Sequence, residues 1–346
     1  MSLVANLAVL RDETPASQAR IRHIPAARLA ALIRQERPDV AVWLDRTAAR
    51  DIAPLRNLSL LLSALVPAQT TVLVDDDVCK FDLNRLHESV STAARSGGTA
   101  IVGADISGAN ENDTVSRLGA ALDLLERRPT GDGEVTAQQL FFVPTSSPTG
   151  VDGPPRYVSG GYLAFRVTSH RLFAFPPGYN EDWLWCLLQR AYTDTTICRS
   201  GEVVVHDPPC VRKTNQDDFR FELPGELVFD CLLEFKPNGS SNTVDILQSL
   251  AQFPLSPQLL PSCRARELSQ RAARIHDNSQ GLDLVREYGL GALDSMLAAG
   301  ELDIDGSQVL SAWCRDAIVK QQAFSATLGD SVLMSLIGKI IIEGRK

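Results

Sequence analysis

Three short segments of this chain carry residues whose types and spacing suit chemistry. The first is Asp75-Asp76-Asp77, directly after the apolar run Thr71–Val74. Adjacent carboxylates repel one another, and such a cluster at the carboxyl end of a buried strand calls for a cation. Oxygen ligands suit Mg²⁺ or Mn²⁺. Strand alternation puts Asp75 and Asp77 on one side and Asp76 on the other, so two carboxylates can share a metal. Ligands of open α/β sheets bind at this edge. A solvated acidic turn is the competing reading.

The second segment is Glu181-Asp182, within GYNEDWLWCLL. A carboxylate at a helix N-terminus is held ionised by the free N–H groups and the dipole, and an oriented carboxylate can act as a general base. Plain capping competes with that role. The third is His206, which ends EVVV and precedes Asp207-Pro208-Pro209. It can complete a mixed oxygen and nitrogen metal site, or be an ordinary strand-end histidine.

The elements that must position these groups read as alternating strands and helices. A helix begins near Pro54, with Leu55, Leu58, Leu61, Leu62 and Leu65 on one face and Pro67 as its stop. Thr71–Val74 lacks polar alternation and reads as a buried parallel strand. Leu86–Arg95 is an expected helix ended by Gly97-Gly98. Thr99–Val102 follows as a strand, and Asp113–Arg128 as a helix carrying Leu118, Ala121, Leu122 and Leu125. The stretch 129–156 is rich in Pro, Gly, Ser and Thr around Phe141–Val143 and reads as a long loop or loose hairpin. Arg156–Val167 is strand-like around Gly160-Gly161, Asp182–Ala191 is helical, and Glu202–Val205 is a strand. Gly289-Leu290-Gly291 follows no strand and fails as a dinucleotide fingerprint.

From about residue 240 the pattern is helical to the end. The last helix, Ser331–Ile342, is apolar but for a stripe of Ser331, Ser335, Lys339 and Glu343. Such a face must be buried, first of all on its own domain, with a homodimer seam or a membrane surface as alternatives. The division expected is 1–240 and 241–346.

With 346 residues, the chain is long enough for two domains or one large α/β domain with an appendage. Hydrophobic residues at 44% and charged residues at 22% exclude a disordered or collagen-like chain. A net charge of −8 argues against broad nucleic-acid binding. No apolar run reaches the ~18–20 residues of a membrane span, and MSLVANLAVLRDE lacks the basic start of a signal peptide. The seven cysteines form no CxxC pair and read as reduced thiols of a cytoplasmic protein.

The order Asp75-x-Asp77, Ser159-Gly160-Gly161, Glu181-Asp182, His206 resembles the nucleotide-sugar glycosyltransferases of GT-A type, above all their large inverting family. Arg56-Asn57 before VLVDDD and the aromatic-rich helix after Glu181-Asp182 extend the likeness over about residues 35–220. The resemblance implies a Rossmann-like mixed sheet flanked by helices, with the C-terminal helical region added. It implies a nucleotide-diphosphate sugar as donor and a hydroxyl-bearing small molecule, glycan or lipid-linked group as acceptor. Asp75, Asp77 and His206 would hold Mn²⁺ or Mg²⁺, with Asp75 also near the donor ribose and Asp76 beside the donor. Asp182 would be the base and Glu181 its less favoured neighbour. Arg56 would lie near the donor diphosphate. Gly160 and Gly161 would let backbone approach the substrates. Trp183 would stack on the acceptor or serve in the core. Arg212 and Lys213, in VRKTNQDDFRFE, would belong to a mobile basic loop closing over the diphosphate, or to a solvated charged loop. Leu7–Leu10 or Ala41–Leu44 would supply the opening strand of the nucleotide pocket, with Asp12 or Asp45 meeting base or ribose.

Other classes share parts of this pattern. A haloacid-dehalogenase-type phosphohydrolase also places DxD after an apolar strand, but that strand opens its domain and a Thr or Val stands where Cys79 does here. A nucleotidyltransferase of related fold and a non-catalytic, glycosyltransferase-like binding module are further alternatives.

Overall fold

The computed structural model describes residues 4–8, 21–47, 51–65, 70–75, 78–80, 83–96, 100–107, 114–127, 135–141, 158, 161–166, 173–193, 195–206, 213–236, 242–275 and 279–343. Strand β1 (Val4–Ala8) pairs antiparallel with β2 (Ile21–Pro25). Helix α1 (Ala26–Glu36) buries Ala26, Leu29 and Ile33. Ala41–Leu44 is not a strand: it forms one 3₁₀ turn, with Trp43 buried. Helix α2 (Ala53–Leu65) follows and buries Leu58, Leu61 and Leu62, as the leucine spacing requires. Asp51 starts it by accepting from Ala53 N at 3.1 Å.

The central sheet is five-stranded and mixed. Its strands are β3 (Thr71–Val74), β4 (Val78–Lys80), β5 (Ala100–Ser107), β6 (Tyr162–Phe165) and β7 (Thr196–His206), in the order β3-β6-β5-β7-β4. Only β5 and β7 are parallel; β3–β6, β6–β5 and β4–β7 are antiparallel. Thr71–Val74 is therefore an antiparallel edge strand, not a parallel one, and Val74 is 43% exposed. An apolar run without alternation reports covered faces and says nothing of direction. The coverage itself is real in the sheet. Leu163 and Phe165 of β6 enter the main core, while Tyr162 and Ala164 join Ala93, Val102 and Ala104 on the opposite face.

Between the strands lie α3 (Leu83–Arg95), α4 (Thr114–Arg127), the short α5 (Ala137–Phe141) and α6 (Glu181–Thr193). The stretch expected to be loop or hairpin thus contains one helical turn, whose Leu140 and Phe141 are buried. After β7 the chain is helical: α7 (Gln216–Glu234), α8 (Thr243–Leu250), α9 (Pro261–Arg274), α10 (Ser279–Val285), α11 (Gly291–Ala298), α12 (Gly306–Gly329) and α13 (Ser331–Glu343). A π turn, Arg286–Leu290, links α10 and α11 and carries Gly289. Among the described residues, no helix is long and apolar enough to cross a membrane.

Packing runs across residue 240. One hydrophobic cluster joins Leu29, Leu61, Phe165 and Trp185 to Leu247, Phe324, Leu333 and Ile337. A second joins α4 to α9, α10 and α11 through Leu118, Leu268 and Leu293. Helix α7 belongs to both: Phe219 and Leu223 enter the second cluster, Leu227, Val228 and Cys231 the first. Helix α12 also reaches back by hydrogen bonds. Lys320 Nζ donates to Asp45 O at 3.0 Å, Trp43 Nε1 to Thr327 Oγ1 at 2.9 Å, and Ala174 N to Gln321 Oε1 at 2.7 Å. On α13 the Ser331, Ser335 and Lys339 stripe is exposed while Leu333 and Ile337 are buried.

Candidate functional site

The site is built on the start of α2. In a run of leucines, Arg56 and Asn57 are buried polar residues, so each needs partners. Asn57 finds them in backbone: its Nδ2 donates to Phe175 O at 3.0 Å, and its Oδ1 accepts from Phe175 N at 2.7 Å. The Phe175 ring stacks on Trp185, centroids 4.6 Å apart, and Arg56 Cζ lies 5.6 Å from the Phe175 centroid. The segment before α6 is thus locked to α2, and the guanidinium is held over an aromatic face.

Arg56 then reaches two of the chemistry-bearing segments. Its Nη2 donates to Asp75 Oδ1 and Oδ2 at 3.0 and 3.2 Å. Its Nε lies 3.3 Å from Glu181 Oε1. Asp75 is positioned from the other side by its own N–H, which donates to Gly161 O at 3.1 Å. The strand end, the glycine segment and the start of α6 meet around one arginine. Asp182 follows Glu181 in the first turn of α6 and is also buried.

Charge in this cluster is unbalanced. Three carboxylates, Asp75, Glu181 and Asp182, share it with Arg56. Glu181 is driven up to about 8, first by burial and then by Asp182 and Asp75, against the opposing pull of Arg56. A proton on Glu181 relieves the excess negative charge; a bound cation would do the same.

His206 arrives by register. In the β4–β7 pair its Cα partner is Val78, the residue that follows Asp77 in the chain. Val78 N in turn donates to Asp75 O at 3.3 Å. Paired residues of antiparallel strands stand about 4.5–5.5 Å apart at Cα. The backbone therefore delivers the histidine position to the end of the acidic triplet. Asp76, Asp77, Gly160, Arg212 and Asp12 lie outside the described residues, as does the side chain of His206. Among the described residues, no three His, Cys, Asp or Glu side chains converge as ligands of one metal ion. Of the side chains expected to hold a cation, that of Asp75 is described, and its carboxylate is held by Arg56.

Two other expectations find definite surroundings. Trp183 is half-buried, its ring 5.2 Å from that of Phe229 on α7. The charged stretch after Arg212 is loop only as far as Asn215. Asn215 and Asp218 form a reciprocal capping box, and α7 begins at Gln216. Lys213 pairs with Glu287, Thr214 N donates to Tyr288 O at 3.2 Å, and Arg117 donates to Thr214 Oγ1. From Lys213 onward this segment contacts Glu287, Tyr288 and Arg117, while the rest of the expected loop, 207–212, lies outside the described residues. Asp45, a candidate for the nucleotide, lies 3.3 Å from Arg34 and is largely exposed.

Comparison with known proteins returns no matching family model, no matching curated protein and no matching solved structure.

Sequence reasoning missed the residues that shape the entrance to α6. Asn180 has a left-handed backbone, φ 60°, and Gly178 before it has φ 100°. The turn they make lies against α7 at Gly225, where a Cβ would stand 2.5 Å from Tyr179 O. Tyr179 and Phe221 of α7 meet edge to face, centroids 5.9 Å apart. The signal was the Gly-Tyr-Asn immediately before the acidic pair, since Gly and Asn are the types that tolerate this conformation.

Proposed function

We propose that the chain is a metal-dependent, inverting glycosyltransferase of GT-A type, moving a sugar from a nucleotide-diphosphate sugar to an acceptor hydroxyl. One observation carries the reading. Arg56, Asp75 and Glu181, singled out in three separate segments, form a single cluster, with Arg56, Glu181 and the neighbouring Asp182 buried and Asp75 half-buried. The Gly161–Asp75 hydrogen bond and the Val78–His206 register supply two further elements of the same pattern. The phosphohydrolase's DxD strand opens its domain, whereas β3 here follows β1, β2, α1 and α2 in the chain, and that order favours the transferase reading.

In this mechanism Asp182 accepts the proton of the acceptor hydroxyl. The oxygen attacks the anomeric carbon, the bond from that carbon to the diphosphate breaks, and inversion follows from in-line displacement. Asp182 and the diphosphate work on opposite faces. Arg56 holds Asp75 and Glu181 in place and contributes positive charge near the departing diphosphate. A divalent cation held by Asp77 and His206, with Asp75 adjoining, would neutralise the charge that develops on the leaving group. Glu181 holds the proton that keeps the buried cluster from carrying three full negative charges.

The test is a panel of nucleoside diphosphates and nucleotide-sugars with Mn²⁺ or Mg²⁺, read by thermal shift and by donor turnover. A nucleotide bound at about 100 times its Kd stabilises the fold by ~2.7 kcal/mol. Failure of every nucleoside diphosphate to bind with either metal overturns the proposal.

A further inference from the structure

Residues 173–180 lead into α6 without a helix or strand of their own. Their backbone N–H and C=O groups have no ladder to join, so other elements must supply partners. Trp185 Nε1 of α6 donates to Phe173 O at 2.8 Å, and Asn57 of α2 meets both backbone groups of Phe175. Two further anchors come from α12. Gln321 Oε1 accepts from Ala174 N at 2.7 Å, and Trp313 Nε1 donates to Pro177 O at 3.0 Å.

Trp313 and Gln321 are separated by about 12 Å of helical rise. Ala174 and Pro177 are separated by about 10 Å of extended chain. The segment therefore runs antiparallel along α12 and is fastened to it at two places. Pro176-Pro177 fixes two φ angles there and leaves little slack. Beyond Pro177 the chain turns through the left-handed Gly178 and Asn180 and enters α6 at Glu181. A glycine hinge is loose by itself. Trp313 holds the carbonyl just before it, and Gly225 of α7 closes on Tyr179 just after it.

We propose that Trp313 is a positioning residue for the acidic pair: its indole N–H fixes the Pro177 carbonyl, and through it the direction in which Glu181 and Asp182 leave the turn. The proposal rests on the reading of Asp182 as base. It adds α12, which lies wholly beyond residue 240, to the parts the site needs. Trp313 acts through the turn; Asp182 takes the proton. Misplacing a reacting group by about 1 Å costs on the order of 10²-fold in rate, so a single backbone anchor can matter to turnover.

The experiment uses the full chain with Trp313→Phe and Trp313→His. Phe keeps an aromatic ring in the half-buried position and removes the donor; His returns a ring N–H. Melting temperature checks folding, and calorimetry with UDP, GDP and dTDP plus Mn²⁺ reads the donor side. Turnover of the corresponding nucleotide-sugars is measured per folded molecule. Trp313→Phe is expected to lower kcat about tenfold with nucleotide affinity within about twofold of the parent's, and Trp313→His to recover part of the loss.

A second measurement needs no turnover. Glu181 is faced by Arg56 of α2, Asp75 at the end of β3 and Asp182 of its own helix, and burial raises its affinity for a proton. Glu181→Gln is expected to gain melting temperature over the parent as pH rises from about 5 to about 8. With Trp313→Phe in both chains, that gain is expected to shrink to about half or less, because a loosened turn lets water reach Glu181 and its proton leaves at lower pH. A merely structural Trp313 would lower melting temperature equally at every pH and leave both kcat and that gain unchanged. That result overturns the proposal, as does the failure of both variants to fold. If the parent chain turns over no nucleotide-sugar, the proposed function falls, and the pH comparison decides the placement of the acidic pair by itself.

Discussion

Arg56 Nε and Glu181 Oε1 face each other at 3.3 Å, with each side chain only 9% exposed. The pair ties the polar start of α2 to the start of α6. Because Glu181 holds its proton, removing Arg56 chiefly takes the compensating charge from Asp75 and Asp182 and a donor from Glu181. Arg56→Ala is therefore expected to destabilise the fold by about 3–5 kcal/mol, read from chemical denaturation. Arg56→Lys keeps the charge but has no planar fork to span Asp75 and Glu181, and is expected to lie between the two. Stability of Arg56→Ala equal to the parent's would show that the pair is not held in solution.

Glu181 gives the cluster a pH signature. It keeps its proton up to about pH 8 in the folded chain and gives it up near its ordinary value of 4.5 when unfolded. Between these values the folded state binds more protons, so stability falls as pH rises; below and above the window this group adds no slope. Glu181→Gln cannot titrate. Its melting temperature is expected to gain on the parent's steadily from about pH 5 to about pH 8. A parallel pair of curves across that window would refute the assignment.

How far the sequence disclosed all this depends on what kind of contact each residue makes. The leucines of α2 and the apolar positions of α4 show their helices because a helix has a local period. Thr71–Val74 shows a strand by its β-branched, apolar composition, but not its partner, since pairing with β6 is a contact between distant segments. Ala41–Leu44 is too short to display any period, and a turn that buries Trp43 against Phe324 looks like a strand in four letters. The stretch around Asn215 looked like solvated loop because it is dense in charge. Two of its charges pair with distant segments: Lys213 with Glu287 of the π turn, Arg220 with Glu301 in the turn after α11. Its capping box was readable locally, as Asn215 and Asp218 three residues apart. The site residues were readable by type and order. That Arg56 would bridge Asp75 and Glu181, and that Asn180 would be sealed against the turn that Gly225 admits, depends on packing no local pattern encodes.

The contact between Gly225 and Tyr179 offers a separate test of how the acidic pair is positioned. A Cβ at 225 would stand 2.5 Å from Tyr179 O and 3.0 Å from Tyr179 Cβ. Backbone cannot yield as a flexible side-chain tip does. Gly225→Ala is expected to cost about 1–3 kcal/mol of stability and to shift the turn that carries Asn180 and Glu181. Donor turnover should fall more steeply than nucleotide affinity, because the displaced groups serve the acceptor side. Equal losses in both would place the effect elsewhere.

Asn57 tests the opposite wall. Its two hydrogen bonds to Phe175 leave a buried carbonyl and a buried N–H without partners when the amide is removed. Asn57→Ala is expected to cost about 2–4 kcal/mol, and Asn57→Asp nearly as much, since a carboxylate cannot donate to Phe175 O. Hydrogen exchange at the Phe175 amide should rise in both variants. Protection retained there would show that the 173–175 segment is held by Trp185 and Gln321 instead.

Under the proposed function the carboxylates divide by role, and single substitutions separate them. Asp182→Asn removes the base while keeping shape, so turnover is expected to fall by about 10²–10⁴-fold with donor and metal affinity nearly unchanged. Asp77→Ala and His206→Ala are expected to weaken metal and nucleotide together, because His206 pairs in register with Val78, the residue that follows Asp77 in the chain. Asp75→Asn keeps an acceptor oxygen for Arg56 but loses charge, and should weaken nucleotide affinity while lowering the pH at which Glu181 titrates, since one repelling carboxylate is gone. The measurements are calorimetric titration with Mn²⁺ and a nucleoside diphosphate, beside donor turnover in each variant. Undiminished turnover in Asp182→Asn removes the base assignment. Unchanged metal affinity in both Asp77→Ala and His206→Ala removes the cation from this edge of the sheet.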